Sequence, residues 1–250
     1  MFFAYTAAAA MAVAGLPARK RARALAAAGV GIALTIASIL IPRQPVLHEW
    51  VLPPVLLLLA YWASGLLFVA PMPGAERALM RLDRAIGVSR IAEKTPRAIV
   101  ELLEFAYAGV YPVVPVALVI YLFRTPLPDP GSFWTVVLVT DYVCFGLLPW
   151  IQTRPPRAIE PVEPWRSSFR PVNLSLLGST SIQVNTFPSG HAAEALAVAL
   201  LVLSAPPAYA ISMLVVALAI SAGAVLGRYH YAADAVLGWV VAVVVWSLST

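Results

Sequence analysis

Most of the side chains with which this chain could do chemistry lie in one stretch, residues 185–238. It opens Asn185-Thr186-Phe187-Pro188-Ser189-Gly190-His191 and passes directly into an apolar run. A second apolar run, Tyr209 to Leu226, leads to Gly227-Arg228-Tyr229-His230-Tyr231-Ala232-Ala233-Asp234. Two of the chain's three histidines are here, each at the start of a hydrophobic helix. A hairpin of two membrane-crossing helices returns the second to the side of the first, so His191 and His230 are expected to face one pocket.

A helix that opens Pro188-Ser189-Gly190-His191 is suited to cradle a phosphate. Its free N–H groups and positive end attract an anion, Gly190 permits close backbone approach, and Ser189 can cap the helix and donate. A histidine there can give a proton to a leaving oxygen. His230 and Asp234, at i and i+4, share one helical face. The carboxylate can hold the imidazole tautomer and support a nucleophilic nitrogen. Taken alone, either piece could be a capped helix end or an interfacial ion pair. Together, on one face beside Arg154-Pro155-Pro156-Arg157, they read as a site for phosphoryl chemistry.

The elements that must position these residues are membrane helices. With 61% hydrophobic and 12% charged residues, the chain is not a soluble domain. Apolar runs of about 18 residues or more read as membrane spans, and seven are expected: 24–41, 50–69, 98–123, 133–151, 189–204, 209–226 and 231–248. An eighth would follow if residues 2–16 cross; they are short, and read instead as a partial interfacial helix or a re-entrant piece. Pro112 and Pro115 predict a kink in the third span, and Pro126, Pro128 and Pro130 a turn after it. Residues 71–97 read as an amphipathic surface helix or as a plain solvated connector. Residues 152–188 form the longest polar loop. The expected organisation is one all-α membrane bundle. Residues 1–97 supply N-terminal helices and a basic connector, and residues 98–250 a catalytic helical core.

The net charge of +5 comes from local clusters, which suit membrane lipids or a phosphate rather than nucleic acid. The single Cys144 sits in an apolar run and offers no disulfide framework. His48, beside Glu49, reads as an interfacial anchor, so no metal site is expected. Alternating the spans places every Lys and Arg except Arg43 and Arg124 on the face that carries the two histidines. The positive-inside tendency makes that face cytoplasmic in a multi-pass protein of a bacterial inner membrane. Carboxylates at depth usually line a cavity or fix a partner. Glu194 and Glu104 are candidates for contacts to a substrate head group, and Asp141 is left as structural.

These segments resemble the type 2 phosphatidic acid phosphatase superfamily. Its Pro-Ser-Gly-His motif matches in full at Pro188 to His191. Its third motif, Ser-Arg, five residues, His, three residues, Asp, matches at His230 and Asp234, but Gly223 and Ala224 stand where Ser-Arg would fall. Its first, Lys, six residues, Arg-Pro, matches at Arg154-Pro155, with Leu147 in place of the lysine. The departures resemble the inositol phosphorylceramide synthase branch, which Pro155-Pro156-Arg157 and Arg228-Tyr229-His230-Tyr231 fit. The resemblance covers roughly residues 100–250.

It implies a six-helix phosphatase-type core with extra N-terminal helices, and a two-step reaction needing neither metal nor cofactor. His230 would attack phosphorus and form a phosphohistidine, Asp234 would orient it, and His191 would protonate the leaving alcohol. Ser189, Gly190, Arg154, Arg157 and Arg228 would hold the phosphoryl oxygens. A lipid-phosphate phosphatase is the first reading and a head-group phosphotransferase the second. A non-catalytic lipid-binding relative is the third, and the soluble vanadium haloperoxidases are excluded by composition.

Overall fold

The computed structural model describes all of the 250-residue chain except residues 124–127, 161, 162, 183, 185 and 250. Arg124 of the charge count, Pro126 of the expected turn and Asn185 of the site stretch lie outside the described residues. Helix α1 (Phe2–Ala12) and helix α2 (Ala18–Leu40) open the chain. A π-helical turn (Val46–Val51) runs into α3 (Leu52–Leu66), and α4 (Pro73–Ile86) and α5 (Val88–Lys94) follow. Then come α6 (Arg97–Ala108), α7 (Val110–Leu122), α8 (Pro130–Leu147), the short α9 (Pro156–Ile159) and α10 (Arg170–Thr180). The last three are α11 (Gly190–Leu201), α12 (Pro207–Leu226) and α13 (Ala232–Ser249). The fold is all-helical, with no strand among the described residues.

Five helices are long and apolar enough to cross a membrane: α2, the Val46–Leu66 unit, α8, α12 and α13. Helices α6 and α7 would make a sixth span, bent by 70°. The expected kink is therefore present, but it falls at Gly109, upstream of both prolines. Pro112 explains the position: its missing N–H cannot reach the Ala108 carbonyl, and its ring crowds that carbonyl, so the helix breaks one turn earlier. The fifth expected span, α11, has only 12 residues. At 1.5 Å per residue it is about 18 Å long, short of a hydrocarbon core of roughly 30 Å. Helix α1, with 11 residues, is also too short to cross alone. It packs instead through Phe2, whose ring stacks on Tyr142 of α8 at 4.5 Å.

Brevity suits α11 to its place. Ala192, Ala193, Ala195, Ala197 and Ala199 are fully buried, and small side chains let α7, α8, α12 and α13 approach its backbone closely. A Cβ on Gly238 of α13 would stand 2.5 Å from the Ser189 carbonyl, so only glycine lets α13 lie against the start of α11. Helix α8 begins where its cap dictates. Asp129 accepts from the Ser132 N–H at 3.1 Å and Pro130 occupies the first turn. The long polar loop is not featureless: it folds into α9 and α10, which pack back over the bundle end that carries the histidines.

Candidate active site

His191 is at the first turn of α11, and His230 lies in the tight turn between α12 and α13. Tyr229 and His230 both donate their N–H to the Ala224 carbonyl, at 2.8 and 2.9 Å, which folds the end of α12 back on itself. Arg228 takes the strain of that turn, at φ +63°, a conformation that disfavours any side chain. The two imidazole rings end 5.6 Å apart, centroid to centroid. They share a cavity of about 50 Å³ with Arg157, Gly190, Thr186, Tyr107 and Tyr229.

The turn also orients His230. Its Nδ1 faces the Thr186 carbonyl at 3.1 Å and Asp234 Oδ2 at 3.3 Å. Both neighbours are acceptors, so Nδ1 carries the proton and Nε2 keeps a free lone pair for attack. Asp234 is held in turn by the Tyr231 N–H at 3.0 Å. It is fully buried. His191 stacks on Tyr107 at 5.8 Å, and Tyr107 stacks on Tyr229 at 4.2 Å with rings nearly parallel. This aromatic stack was not visible in the sequence, since Tyr107 and Tyr229 lie in different helical segments with no shared spacing.

The phosphate cradle takes a specific form. Ser189 spends its hydroxyl on the helix, accepting from the Ala192 N–H at 3.2 Å. Gly190 lines the cavity. The arginines divide. Arg157 is half-buried on the cavity wall, 5.2 Å above the Tyr229 ring, with no carboxylate partner among the described residues. Burial, the largest influence, holds its guanidinium below the usual arginine value. An anion in the cavity would offset that cost.

Arg154 and Arg228 are not among the residues that line the cavity. Arg154 makes a two-pronged ion pair with Glu76 of α4, and Arg228 donates to Glu160 at 3.0 Å. Burial works to raise the Glu160 carboxyl, but the hydrogen bonds from Arg228 and Arg84 outweigh it and leave the group below its ordinary value.

Neither glutamate proposed for a head group lies on the cavity wall. Glu104 is buried beneath Tyr229, and its oxygens accept from Trp165, Arg170, Asn173 and the Tyr229 hydroxyl at 2.6–3.0 Å. That leaves it tying α6 to α10, with no oxygen free for a substrate. Arg170 had no motif to announce it; it donates to Glu104 at 3.0 Å and to the Gly227 carbonyl at 3.1 Å. Glu194 faces the bundle interior beside Asp141 of α8.

The missing motif residues have a steric account. A Cβ on Gly223 would stand 2.5 Å from the Leu103 carbonyl, so α12 and α6 touch backbone to backbone there. Ala224 is covered by Tyr107, Leu177 and Tyr229, which occupy the space an arginine would need.

Asp83 of α4 accepts from the Ala232 N–H at 3.0 Å, at the start of α13. Burial is the main influence and raises its carboxyl to about 6; the Ala232 hydrogen bond opposes this, Asp234 adds to it and Arg228 opposes it. A carboxyl raised above its ordinary 3.8 is one the fold prefers protonated. Stability from this group is therefore greatest at low pH and declines as pH rises through about 4 to 6. Thermal unfolding in detergent should show that decline in the wild type and a flatter profile in Asp83→Asn. Parallel profiles for the two would show that Asp83 does not titrate there.

The matches to known proteins are narrow. No curated protein and no solved structure matches the chain. The family model described as the PAP2 superfamily matches residues 77–248. That span runs from within α4 through both histidines to the end of α13, and exceeds half of the 250 residues. The chain thus belongs to the PAP2 superfamily, and its chemistry is of the phosphatase or phosphotransferase type.

Proposed function

We propose that this multi-pass membrane protein is a lipid-phosphate phosphatase acting through a phosphohistidine on His230. The observation that carries the reading is Arg157, a cation without a carboxylate partner among the described residues, beside two histidines in a small cavity. In the first step His230 Nε2 forms a bond to phosphorus as the ester P–O bond breaks. His191 gives a proton to the departing alkoxide. In the second step His191 takes a proton from water as its oxygen attacks phosphorus, and the P–N bond breaks to release phosphate and free His230. Asp234 holds the Nδ1 proton and balances the positive charge on the ring.

Cavity size favours water as the acceptor. A water-sized group needs roughly 10–15 Å³ of such space, so about 50 Å³ admits a phosphoryl group and little more. The lining includes the apolar Phe145, Leu148, Leu177 and Val184, and its Tyr61 hydroxyl is spent on Ser181 Oγ at 3.1 Å. A polyol acceptor would find few partners there. The phosphotransferase reading rests on the Pro155-Pro156-Arg157 and Arg228-Tyr229-His230-Tyr231 variants. By the distribution of basic residues, the site is assigned to the cytoplasmic face.

Product analysis separates the two. Purified protein should release inorganic phosphate from at least one of phosphatidic acid, phosphatidylglycerol phosphate or a polyprenyl phosphate, with no added alcohol. Turnover that requires an alcohol acceptor would overturn the phosphatase reading in favour of the transferase.

A further inference from the structure

Helix α4 lies outside the segment in which the catalytic motifs fall, yet its inner face is built for them. Glu76, Met80 and Asp83 are buried, each about one turn from the next. Glu76 Oε1 accepts from the Arg154 N–H and Nε at 2.9 and 3.0 Å, and Oε2 from Arg154 Nη2 at 2.9 Å. Asp83 accepts from Ala232, two residues after His230. Arg84 pairs with Glu160, whose other oxygen holds Arg228. At the entry to α4, the Met72 N–H donates to the Gln152 carbonyl at 2.7 Å. These links reach across 68 to 149 residues of sequence to both arms of the site.

A connector has no need of buried carboxylates, since each one is costly unless paired. The opposite flank of α4 exposes Leu82 and Ile86 together with Arg77 and Arg81, as a helix lying on a membrane surface would. The inner carboxylates therefore serve something other than solubility. Arg154 is followed by Pro155 and Pro156, whose rings lock φ, so the segment from Arg154 to Arg157 is stiff. Fixing Arg154 at three points fixes where Arg157 begins. The Arg157 N–H completes the hold, donating to the Arg228 carbonyl at 3.2 Å.

We propose that Glu76 is a positioning residue: by clamping Arg154 it sets Arg157 over the cavity, and α4 acts as a strap across the active site. This rests on the reading of Arg157 as the phosphoryl-binding cation. The test has two arms, so that failure of one reading is not mistaken for failure of the other. In the first, no substrate is used. Phenylglyoxal labelling of Arg157, read by mass spectrometry, should rise several-fold in Glu76→Gln, because a freed segment exposes the guanidinium. Unchanged labelling would overturn the strap whether or not the protein turns over.

The second arm is a double-mutant cycle on phosphate release. Glu76→Gln should lower kcat/KM about tenfold, mainly through KM, and by less than about twofold when Arg157 is already alanine. Equal losses in both backgrounds would mean a general structural role and would overturn the proposal. If Glu76→Gln does not fold, Arg84→Ala, an exposed change to the same strap, should still raise Arg157 labelling; no rise there would count against it. A wild type inactive on every lipid phosphate would sink the proposed function, while the labelling arm would still decide the strap.

Discussion

His230→Ala should abolish phosphate release, with a loss of roughly 10⁴-fold or more in kcat, as expected when the nucleophile of a concerted unit is removed. The structure explains why nothing nearby substitutes. Thr186 and Asp234 both lie on the Nδ1 side of the ring, leaving Nε2 as the nitrogen available for attack. His191, 5.6 Å away between ring centroids, lacks an orienting carboxylate among its described contacts, which are the rings of Tyr107 and His230. His230→Gln controls for packing in the turn, and both variants should unfold close to the wild-type temperature. Activity in either variant within about tenfold of wild type would remove His230 from the role of nucleophile.

The second large effect is expected at Arg157. Arg157→Ala should cost about 10²–10³ in kcat/KM, the usual cost of deleting one donor aimed at developing phosphoryl charge. Arg157→Lys should recover only part of it, because a point charge replaces a planar fork that stacks on an aromatic ring. Arg157 lies 5.2 Å from the Tyr229 ring centroid, a geometry the flexible ammonium does not reproduce. Arg228 offers a contrast. Its guanidinium is engaged by Glu160 and does not line the cavity, so Arg228→Gln should be milder than Arg157→Ala. A larger loss in Arg228→Gln would mean that the phosphoryl group binds nearer Glu160 than the cavity suggests. Steady-state kinetics on one lipid phosphate, with folding checked by thermal unfolding, decides the ranking.

The parts legible in the sequence were those written in local spacing. Long apolar runs placed α2, α8, α12 and α13 within a few residues, and the i, i+4 relation of His230 and Asp234 survives as a hydrogen bond. The Pro-Ser-Gly-His segment likewise opens a helix, with Ser189 as its cap. Polar pairing at long range was not legible. Arg154, Arg157 and Arg228 look alike as residues near a motif, and what separates them is whether a distant carboxylate has claimed the guanidinium. For Arg154 that carboxylate is Glu76, 78 positions earlier, in a helix that reads equally well as a connector. Glu104 stayed open for a related reason: depth in an apolar segment signals a partner, but does not say whether the partner is a substrate or Arg170. Helix α10 was hidden inside a polar loop because its burial comes from contacts to α6, not from its own composition. The break at Gly109 shows that a proline acts on the carbonyl one turn before it, so the kink must be sought upstream.

The central claim is that a phosphoryl group passes through His230. The most direct measurement is rapid quenching of purified protein during turnover of a lipid phosphate, followed by alkaline digestion-compatible mass spectrometry of the peptide containing residues 228–234. An acid-labile, alkali-stable phosphoryl group on His230, absent from His230→Gln, is the expected result. Phosphate release at full rate with His230 never modified, and water oxygen delivered to phosphorus in a single inverting step, would contradict it.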